Sequence, residues 1–322
     1  MANAIICLSR AQVIVAPASS SRRFQVRDYD LAATLSSGQA FRWRLVDRQW
    51  HGVIGAHWVR LSADDFSILA ETAEPISDST WLEHYLQINV ELEAVLRSFP
   101  CDDPMSAAIA ACRGLRLLRQ DPWECLASFI LSSTKQIVQI QQIVSLVCER
   151  FGEALPAVGG PAYSFPAASR LARLSEADLR ACKMGFRAPY LLETSRAVAS
   201  GQMDLGRLQD VSVEIARGEL MSLPGVGRKI ADCVLLFAYG FQTAFPVDVW
   251  VMKALRQLYF PRRRTALKRL QRFAGSHFGV NAGYAQQYLF HYMRTRYESP
   301  ERRAKNPKQQ RKRHVIRTRS RE

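Results

Sequence analysis

A lysine at the start of a predicted helix is the residue best suited to chemistry in this chain. Lys229 follows a tight turn that contains Gly225, Val226 and Gly227. The two glycines allow positive φ angles and a close approach of the backbone to a ligand. The helix, which should begin near Arg228, directs unpaired amide groups and its positive dipole end into the turn. These features predict a phosphate site, and they place it beside an amine that is a nucleophile when unprotonated.

A cysteine and an aspartate complete this candidate site. Cys233 lies four residues after Lys229, on the same helix face. Asp248, nineteen residues beyond Lys229, precedes a helical pattern and should be its N-cap. A carboxylate near the amine can transfer protons and stabilise positive charge on a substrate. The alternative is structural: an exposed helix-start lysine, a core cysteine and an aspartate that only caps a helix.

These residues resemble a known family. The run L-P-G-V-G-R-K-x-A-D-C over 223–233, followed by P-V-D-V over 246–249, is similar to the helix-hairpin-helix DNA glycosylases, and within them to the 8-oxoguanine DNA glycosylase/lyase group. The resemblance covers roughly residues 25–295. It implies that Lys229 attacks C1′ of a damaged nucleotide in duplex DNA. It also implies that Asp248 stabilises the sugar cation and that the hairpin residues bind the DNA backbone.

The resemblance also implies a base pocket. The segment S-G-Q-x-F-R-W-R contains Gly38, whose carbonyl would accept a hydrogen bond from N7–H of the oxidised base. Guanine has no hydrogen at N7, which can only accept. Gln286 would bond to the Watson–Crick edge, and Phe290 and Cys233 would cover the two ring faces.

The predicted contacts with the duplex include departures from the family. Thr134 and Gln139 occupy positions where the family has an asparagine that fills the gap left by the flipped base and an arginine that contacts the opposite cytosine. Strict selection of cytosine is therefore not expected, while Lys135 remains a candidate phosphate contact. Trp250 replaces a histidine that helps to hold a phosphate, and tryptophan carries no charge.

Two further residues are predicted to act on the duplex. By the resemblance, Phe186 wedges into the base stack and Arg187 reads the base opposite the lesion. Apolar wedges that unstack a base step are a known means of opening the helix. The alternative for Phe186 is an ordinary core aromatic.

Composition agrees with a nucleic-acid partner. The net charge of +15 favours a polyanion, although residues 301–322 carry ten Lys/Arg and two Glu and so account for +8 of it. Seven scattered cysteines indicate a reducing compartment rather than a disulfide framework. We expect no metal, no iron–sulfur cluster and no other cofactor. No apolar run reaches the ~20 residues of a membrane span, so we expect no membrane partner and a location with the chromosome, in the cytoplasm or nucleoid of a bacterium or the nucleus of a eukaryote.

Periodicity predicts an α+β fold. Alternation at Phe41, Trp43 and Leu45 and again near Val59 and Leu61 indicates antiparallel strands over about 22–75, and helical spacing follows from Asp78. We predict an N-terminal segment (1–21), an antiparallel sheet domain (22–100), a helical glycosylase region (101–299) and a basic, disordered tail (300–322). We expect the protein to be a monomer.

Two alternatives to a glycosylase/lyase remain open. A monofunctional glycosylase for alkylated or other bases would use Asp248 and water, without the lysine. A non-catalytic DNA-binding module would use only the hairpin amides. Strand cleavage without added alkali distinguishes the first, and binding without turnover identifies the second.

Overall fold

The computed structural model of the protein describes residues 20–262 and 265–298. The predicted N-terminal segment up to residue 19, the basic tail 300–322, and Arg263 and Arg264 lie outside the described residues. An antiparallel sheet comes first, and a mainly helical body follows it. The predicted α+β class is confirmed.

Five antiparallel strands form the sheet in the spatial order β1-β5-β4-β3-β2. Their bounds are Ser20–Gln25 (β1), Arg44–Val46 (β2), Gln49–Ile54 (β3), His57–Ala63 (β4) and Ser67–Thr72 (β5). One face buries Val59 and Leu61, as their alternation predicted. Trp58 points to the other face but is also buried, because Ala162 of a later hairpin packs there.

A short helix interrupts the predicted strand region. Helix α1 spans Leu31–Ser36, and Asp30 caps it by accepting the backbone N–H of Ala33 at 2.8 Å. The prediction of strands throughout 22–75 was therefore wrong at this segment. A six-residue helix buries Leu31 and Leu35 only one turn apart, which is too short for a 3.6-residue period to be visible in the sequence.

The helical body contains thirteen further α-helices within the described ranges and one small hairpin. The helices are Thr80–Leu86 (α2), Leu92–Arg97 (α3), Asp103–Cys112 (α4), Pro122–Leu131 (α5), Ile137–Phe151 (α6), Ala168–Leu171 (α7), Glu176–Arg180 (α8), Ala188–Ala199 (α9), Val213–Met221 (α10), Arg228–Val234 (α11), Val249–Ala254 (α12), Leu267–His277 (α13) and Ala282–Glu298 (α14). The hairpin pairs Ala154–Leu155 (β6) with Ala162–Tyr163 (β7). Single π-helical turns continue α11 over Leu235–Tyr239 and α12 over Leu255–Tyr259.

Helix α5 is the central support of the body. Asp121 caps it by accepting the N–H of Glu124 at 2.8 Å, and Pro122 occupies the first turn. Every residue from 125 to 131 is buried. The ring of Phe129 stacks on Phe237, with 5.6 Å between centres, so the π-helical turn that continues α11 packs against α5.

Helices α10 and α11 form the hairpin that carries Lys229. The guanidinium of Arg217 on α10 donates to the carboxylate of Asp232 on α11 at 2.6 Å, and Asp232 is 2% exposed. A buried ion pair with one partner on each helix sets the geometry of the turn between them. Removal of one partner from such a pair typically costs about 3–5 kcal/mol.

A buried histidine on α14 makes stability depend on pH. His291 is 8% exposed, and burial, aided by the charge of Arg294, lowers its pKa to about 4. The unfolded chain therefore binds a proton between pH 6.5 and 4 that the folded chain does not, so stability falls as the pH drops through this window. We expect the wild type to lose about 3 kcal/mol more than His291→Phe between pH 7 and pH 4. Urea denaturation at the two pH values measures the difference, and equal losses would contradict the assignment.

Candidate active site

Lys229 lies in the first turn of α11, which begins where the sequence predicted. Its Nζ is 3.3 Å from Oγ of Ser132 and 5.1 Å from the ring centre of Phe129. Among residues 20–262 and 265–298, no carboxylate forms an ion pair with this amine. The amine is thus held by a hydroxyl and an aromatic face, contacts that a substrate atom can replace.

Asp248 is the N-cap of α12, as predicted. Its Oδ1 accepts the backbone N–H of Val251 at 2.7 Å. Burial raises the pKa of the Asp248 carboxyl, and this hydrogen bond together with the positive charge of Lys229 opposes the rise. The two groups predicted to carry chemistry therefore interact electrostatically, although they come from different helices.

A single cleft of about 1910 Å³ contains both groups and the predicted base pocket. The predicted site residues on its wall are Gly38, Thr134, Lys135, Lys229, Cys233, Asp248, Trp250, Gln286 and Phe290. They come from the loop after α1, the turn after α5, and helices α11, α12 and α14. The structure thus brings together every residue predicted for the reaction and the base pocket.

One wall of the cleft has an unsatisfied acceptor. Gln286 is 3% exposed, and its Oε1 has no hydrogen-bond partner in the described part of the chain. A buried amide oxygen without a donor is costly, so a ligand that donates here would remove that cost. Phe290, one turn further along α14, also lines the cleft, with the guanidinium of Arg294 5.8 Å from its ring centre.

The cysteine in the cleft is not a competing nucleophile. Cys233 is 3% exposed, and burial raises the pKa of its thiol to about 12, with the charge of Lys229 opposing the rise. The thiol stays protonated near neutral pH and supplies a packing surface.

The hairpin turn uses its two glycines differently. Gly225 has φ +74°, and a Cβ there would lie 2.5 Å from Cδ2 of Tyr190. Gly227 is extended, with φ −89° and ψ 174°, because it enters α11 as the N-cap. The expected positive φ therefore occurs at Gly225 alone. Val226 is buried, and its N–H donates to the carbonyl of Leu223 at 3.2 Å, which leaves the two glycines at the surface.

Arg187 is bound internally in this structure. It is 2% exposed, its guanidinium donates to the Thr134 hydroxyl at 2.6 Å and to the Met184 carbonyl at 3.1 Å, and it also contacts the Ser133 carbonyl. Thr134 has φ +58°, which is unusual for a β-branched residue. A contact between Arg187 and a DNA base requires the arginine to release this turn.

The other predicted duplex contacts are at the surface. Phe186 is 53% exposed, with the guanidinium of Arg187 4.2 Å from its ring centre, so it is not a core aromatic. Gln139 is exposed, and its side-chain oxygen accepts the backbone N–H of Gln136 at 3.1 Å, at the start of α6. Neither residue lines the cleft.

The edge of the cleft has a cation that the sequence analysis missed. Nζ of Lys253 lies 3.1 Å from the ring centre of Tyr297 and 5.2 Å from that of Trp250, and all three residues line the cleft. Lys253 follows Trp250 by three residues, so the helical spacing could have revealed that they share a face. Ser132 and Phe129 were also missed, because only tertiary packing places them beside Lys229.

The described residues contain neither a metal-binding cluster nor a membrane-spanning helix. Within residues 20–262 and 265–298, no three His, Cys, Asp or Glu side chains lie close enough together to hold a metal ion. None of the helices in these ranges combines the length and apolar character that a membrane span requires.

Family models match most of the chain. Residues 22–126 match the N-terminal domain of 8-oxoguanine DNA glycosylase, and residues 127–275 match the HhH-GPD superfamily of base excision DNA repair proteins. Similar proteins include a probable N-glycosylase/DNA lyase of Methanothermobacter thermautotrophicus, which is 31% identical over 84% of this chain and 96% of the relative. N-glycosylase/DNA lyase OGG1 of Arabidopsis thaliana is 33% identical over 81% of this chain and 76% of the relative.

A solved structure shares the fold. The 8-oxoguanine glycosylase/lyase of Clostridium acetobutylicum, in complex with double-stranded DNA that contains cytosine opposite 8-oxoguanine, superimposes with a TM-score of 0.80. It is 28% identical, and the match covers 85% of this chain and 98% of that one. Together with the sequence matches, this places the chain in the N-glycosylase/DNA lyase family of 8-oxoguanine DNA glycosylases, within the HhH-GPD superfamily.

Proposed function

We propose that this protein removes 8-oxoguanine from damaged duplex DNA and then cuts the strand, with Lys229 as the nucleophile. A bifunctional glycosylase and lyase is the activity of the family to which the chain belongs. The observation that carries the assignment of residues is the common cleft, which contains the amine of Lys229, the carboxylate of Asp248 and the four residues predicted for the base pocket. Extrusion of the damaged base into it costs a few kcal/mol.

The reaction follows from the two charged groups. The unprotonated amine of Lys229 forms a bond to C1′, and the bond from C1′ to the base breaks, with its electron pair leaving on the base. Asp248 stabilises the positive charge that develops on the sugar and accepts the proton that the attacking amine loses. Ring opening gives an imine to Lys229. Transfer of a C2′ proton to water then breaks the C3′–O bond and expels the 3′ phosphate, which cuts the strand 3′ to the lesion.

The pocket supplies the selectivity for the base. Gln286 offers a buried oxygen without a donor, which suits the N–H groups on the Watson–Crick edge of an oxidised guanine. Phe290 and the protonated Cys233 thiol cover the ring faces. The carbonyl of Gly38 would accept N7–H, the hydrogen that distinguishes the oxidised base from guanine.

The duplex is held at several points outside the pocket. The amides of the hairpin turn bind a backbone phosphate, Phe186 enters the base stack, and Arg187 reaches the opposite base after it releases Thr134. Thr134 and Gln139 offer no charge to that base, so strict selection of cytosine opposite the lesion is not expected. We propose further that the protein works as a monomer and remains with the chromosome.

Borohydride trapping tests the proposal. The wild type, mixed with a duplex that contains 8-oxoguanine and then reduced, should become covalently attached to DNA, and without reduction the strand should be cut without added alkali. A monofunctional glycosylase would release the base but give no cross-link. A non-catalytic binding module would give neither product, and either result would overturn the proposal.

Substitutions in the hairpin should separate folding from binding. Gly225→Ala forces a Cβ into the left-handed region and against Tyr190, so we expect a loss of at least about 1–2 kcal/mol in unfolding free energy. In Gly227→Ala the added Cβ has no atom within 4 Å, so the loss of unfolding free energy should be smaller. The methyl group would still obstruct a phosphate that approaches the turn. Urea denaturation and duplex binding measure the two effects. Equal destabilisation by the two variants would contradict this account of the turn.

Trp250 has no charge with which to bind a DNA phosphate, and we expect the neighbouring Lys253 to make that contact. Its ammonium lies over two aromatic rings at the cleft edge, and no described carboxylate pairs with it. The plot of log binding constant against log salt should become shallower by about 0.9 in Lys253→Gln, because one phosphate contact is lost. Lys253→Arg should keep the wild-type slope. An unchanged slope in Lys253→Gln would remove this residue from the DNA contacts.

A further inference from the structure

Side chains from distant parts of the chain hold the loop that follows α1. Three of its backbone carbonyls accept hydrogen bonds, those of Ser36 from Arg294 at 2.5 Å, Ser37 from Gln287 at 3.0 Å and Gln39 from Gln120 at 2.7 Å. Two of these donors are on α14, the helix that also carries Gln286 and Phe290. The loop and the base pocket are therefore fixed to a common support.

The carbonyl of Gly38 differs from its neighbours. Among the described residues it accepts no hydrogen bond, although the carbonyls on both sides do. Gly38 lines the cleft and has φ +77°, a conformation that favours glycine. The loop thus leaves one acceptor available at the cleft and fixes the peptide groups around it.

The Gln39 side chain also prevents the loop from rotating. It is fully buried, its Nε2 donates to the Thr34 carbonyl at 2.9 Å and to the Arg116 carbonyl at 2.8 Å, and its Oε1 accepts the N–H of Leu118 at 2.8 Å. These bonds join the loop to the extended segment before α5. Rotation of the Gly38 peptide would break these buried hydrogen bonds and leave their donors and acceptors unpaired, which is costly.

From this arrangement we infer that Gln287 and Gln120 are positioning residues that set the selectivity for 8-oxoguanine over guanine. They fix the peptide groups on either side of Gly38, so its carbonyl can accept N7–H of the oxidised base but cannot turn away from the N7 lone pair of guanine. A polar site rejects a wrong ligand only if its groups cannot relax. This inference rests on the proposed function, and it assigns the discrimination to residues that act through the peptide groups next to Gly38.

Duplex binding by a catalytically inactive protein tests the inference. In a Lys229→Gln background, dissociation constants are measured for duplexes with 8-oxoguanine, with guanine at the same position, and with a tetrahydrofuran abasic analogue. Gln287→Met keeps the side-chain length but removes the donor to Ser37. We expect it to reduce the preference for 8-oxoguanine over guanine about tenfold, with affinity for the abasic duplex unchanged within about twofold.

A neighbouring residue provides the matched control. The Tyr288 hydroxyl, on the same helix, donates to the Leu115 carbonyl at 3.2 Å and does not contact the loop. Tyr288→Phe also loses a hydrogen bond to a backbone carbonyl, but it should keep the wild-type preference. Gln120→Met releases the loop from the opposite side, so it decides the question if Gln287→Met does not fold.

The binding results distinguish a failure of the positioning role from a failure of the proposed substrate. Equal weakening of binding to all three duplexes, or a preference unchanged in both glutamine variants, would overturn the positioning role. If the Lys229→Gln parent itself binds the 8-oxoguanine and guanine duplexes equally, the proposed substrate is wrong, whatever the glutamines do.

Discussion

Lys229→Gln should abolish the borohydride cross-link to 8-oxoguanine duplex while the protein still binds that DNA. Glutamine has no amine to attack C1′ and cannot form an imine. We expect excision to fall by at least about 10³-fold, or ~4 kcal/mol of transition-state stabilisation. The fold should be little affected, because the amine contributes only its contacts with the Ser132 hydroxyl and the Phe129 ring and no ion pair within the described residues. Single-turnover excision, trapping and thermal unfolding measure the three quantities.

A second lysine on the cleft wall is the control. Lys135 also lines the cleft, but it lies on the turn after α5 rather than at the start of α11. At saturating protein, Lys135→Gln should give a full cross-link, although its affinity for DNA falls. A cross-link that persists in Lys229→Gln and is lost in Lys135→Gln would move the nucleophile to the other lysine.

Local signals made much of the fold and the site predictable. The start of α11, the cap by Asp248 and the cap by Asp121 each depend on a few consecutive residues, so they could be read from the sequence. The base pocket could not be read in that way, because Gly38 and Gln286 are far apart in sequence. Only the resemblance to the family brought them together, and the structure places both in one cleft.

The features of the site that could not be predicted from the sequence depend on contacts between distant segments of the chain. Arg187 was predicted as a reader of the opposite base, but its bonds to the turn at Thr134 join residues 53 positions apart. The bond from Gln287 to Ser37 spans 250 positions. Helix α1 was missed for a different reason, since it has too few turns to show a period. Spacing patterns carry no information about such contacts until the fold is known.

Asp248→Asn should separate catalysis from helix capping. Asparagine is as good an N-cap as aspartate, so the bond to the Val251 N–H can be kept. The negative charge near Lys229 is lost, and we expect excision to fall by about 10²–10⁴-fold.

The same substitution should also change stability. Burial raises the pKa of the Asp248 carboxyl in the folded protein. Above the unfolded-state pKa, the ionised carboxylate therefore lowers the free energy of unfolding. Asp248→Asn should therefore be at least as stable as the wild type at neutral pH, and this difference should vanish as the pH falls below both values.

Asp248→Ala distinguishes the two roles of the residue. Alanine removes both the charge and the cap, so it should lose about 1 kcal/mol of stability in addition to activity. If the carboxylate acts in the reaction, Asn and Ala will be similarly inactive but differ in stability. If Asn keeps full excision and only Ala is impaired, Asp248 merely orients α12, and the charge that balances the sugar cation must come from the DNA itself. Single-turnover excision and urea denaturation of the same two variants decide between these roles, because a cap affects the stability of the helix whereas a catalytic carboxylate affects the barrier.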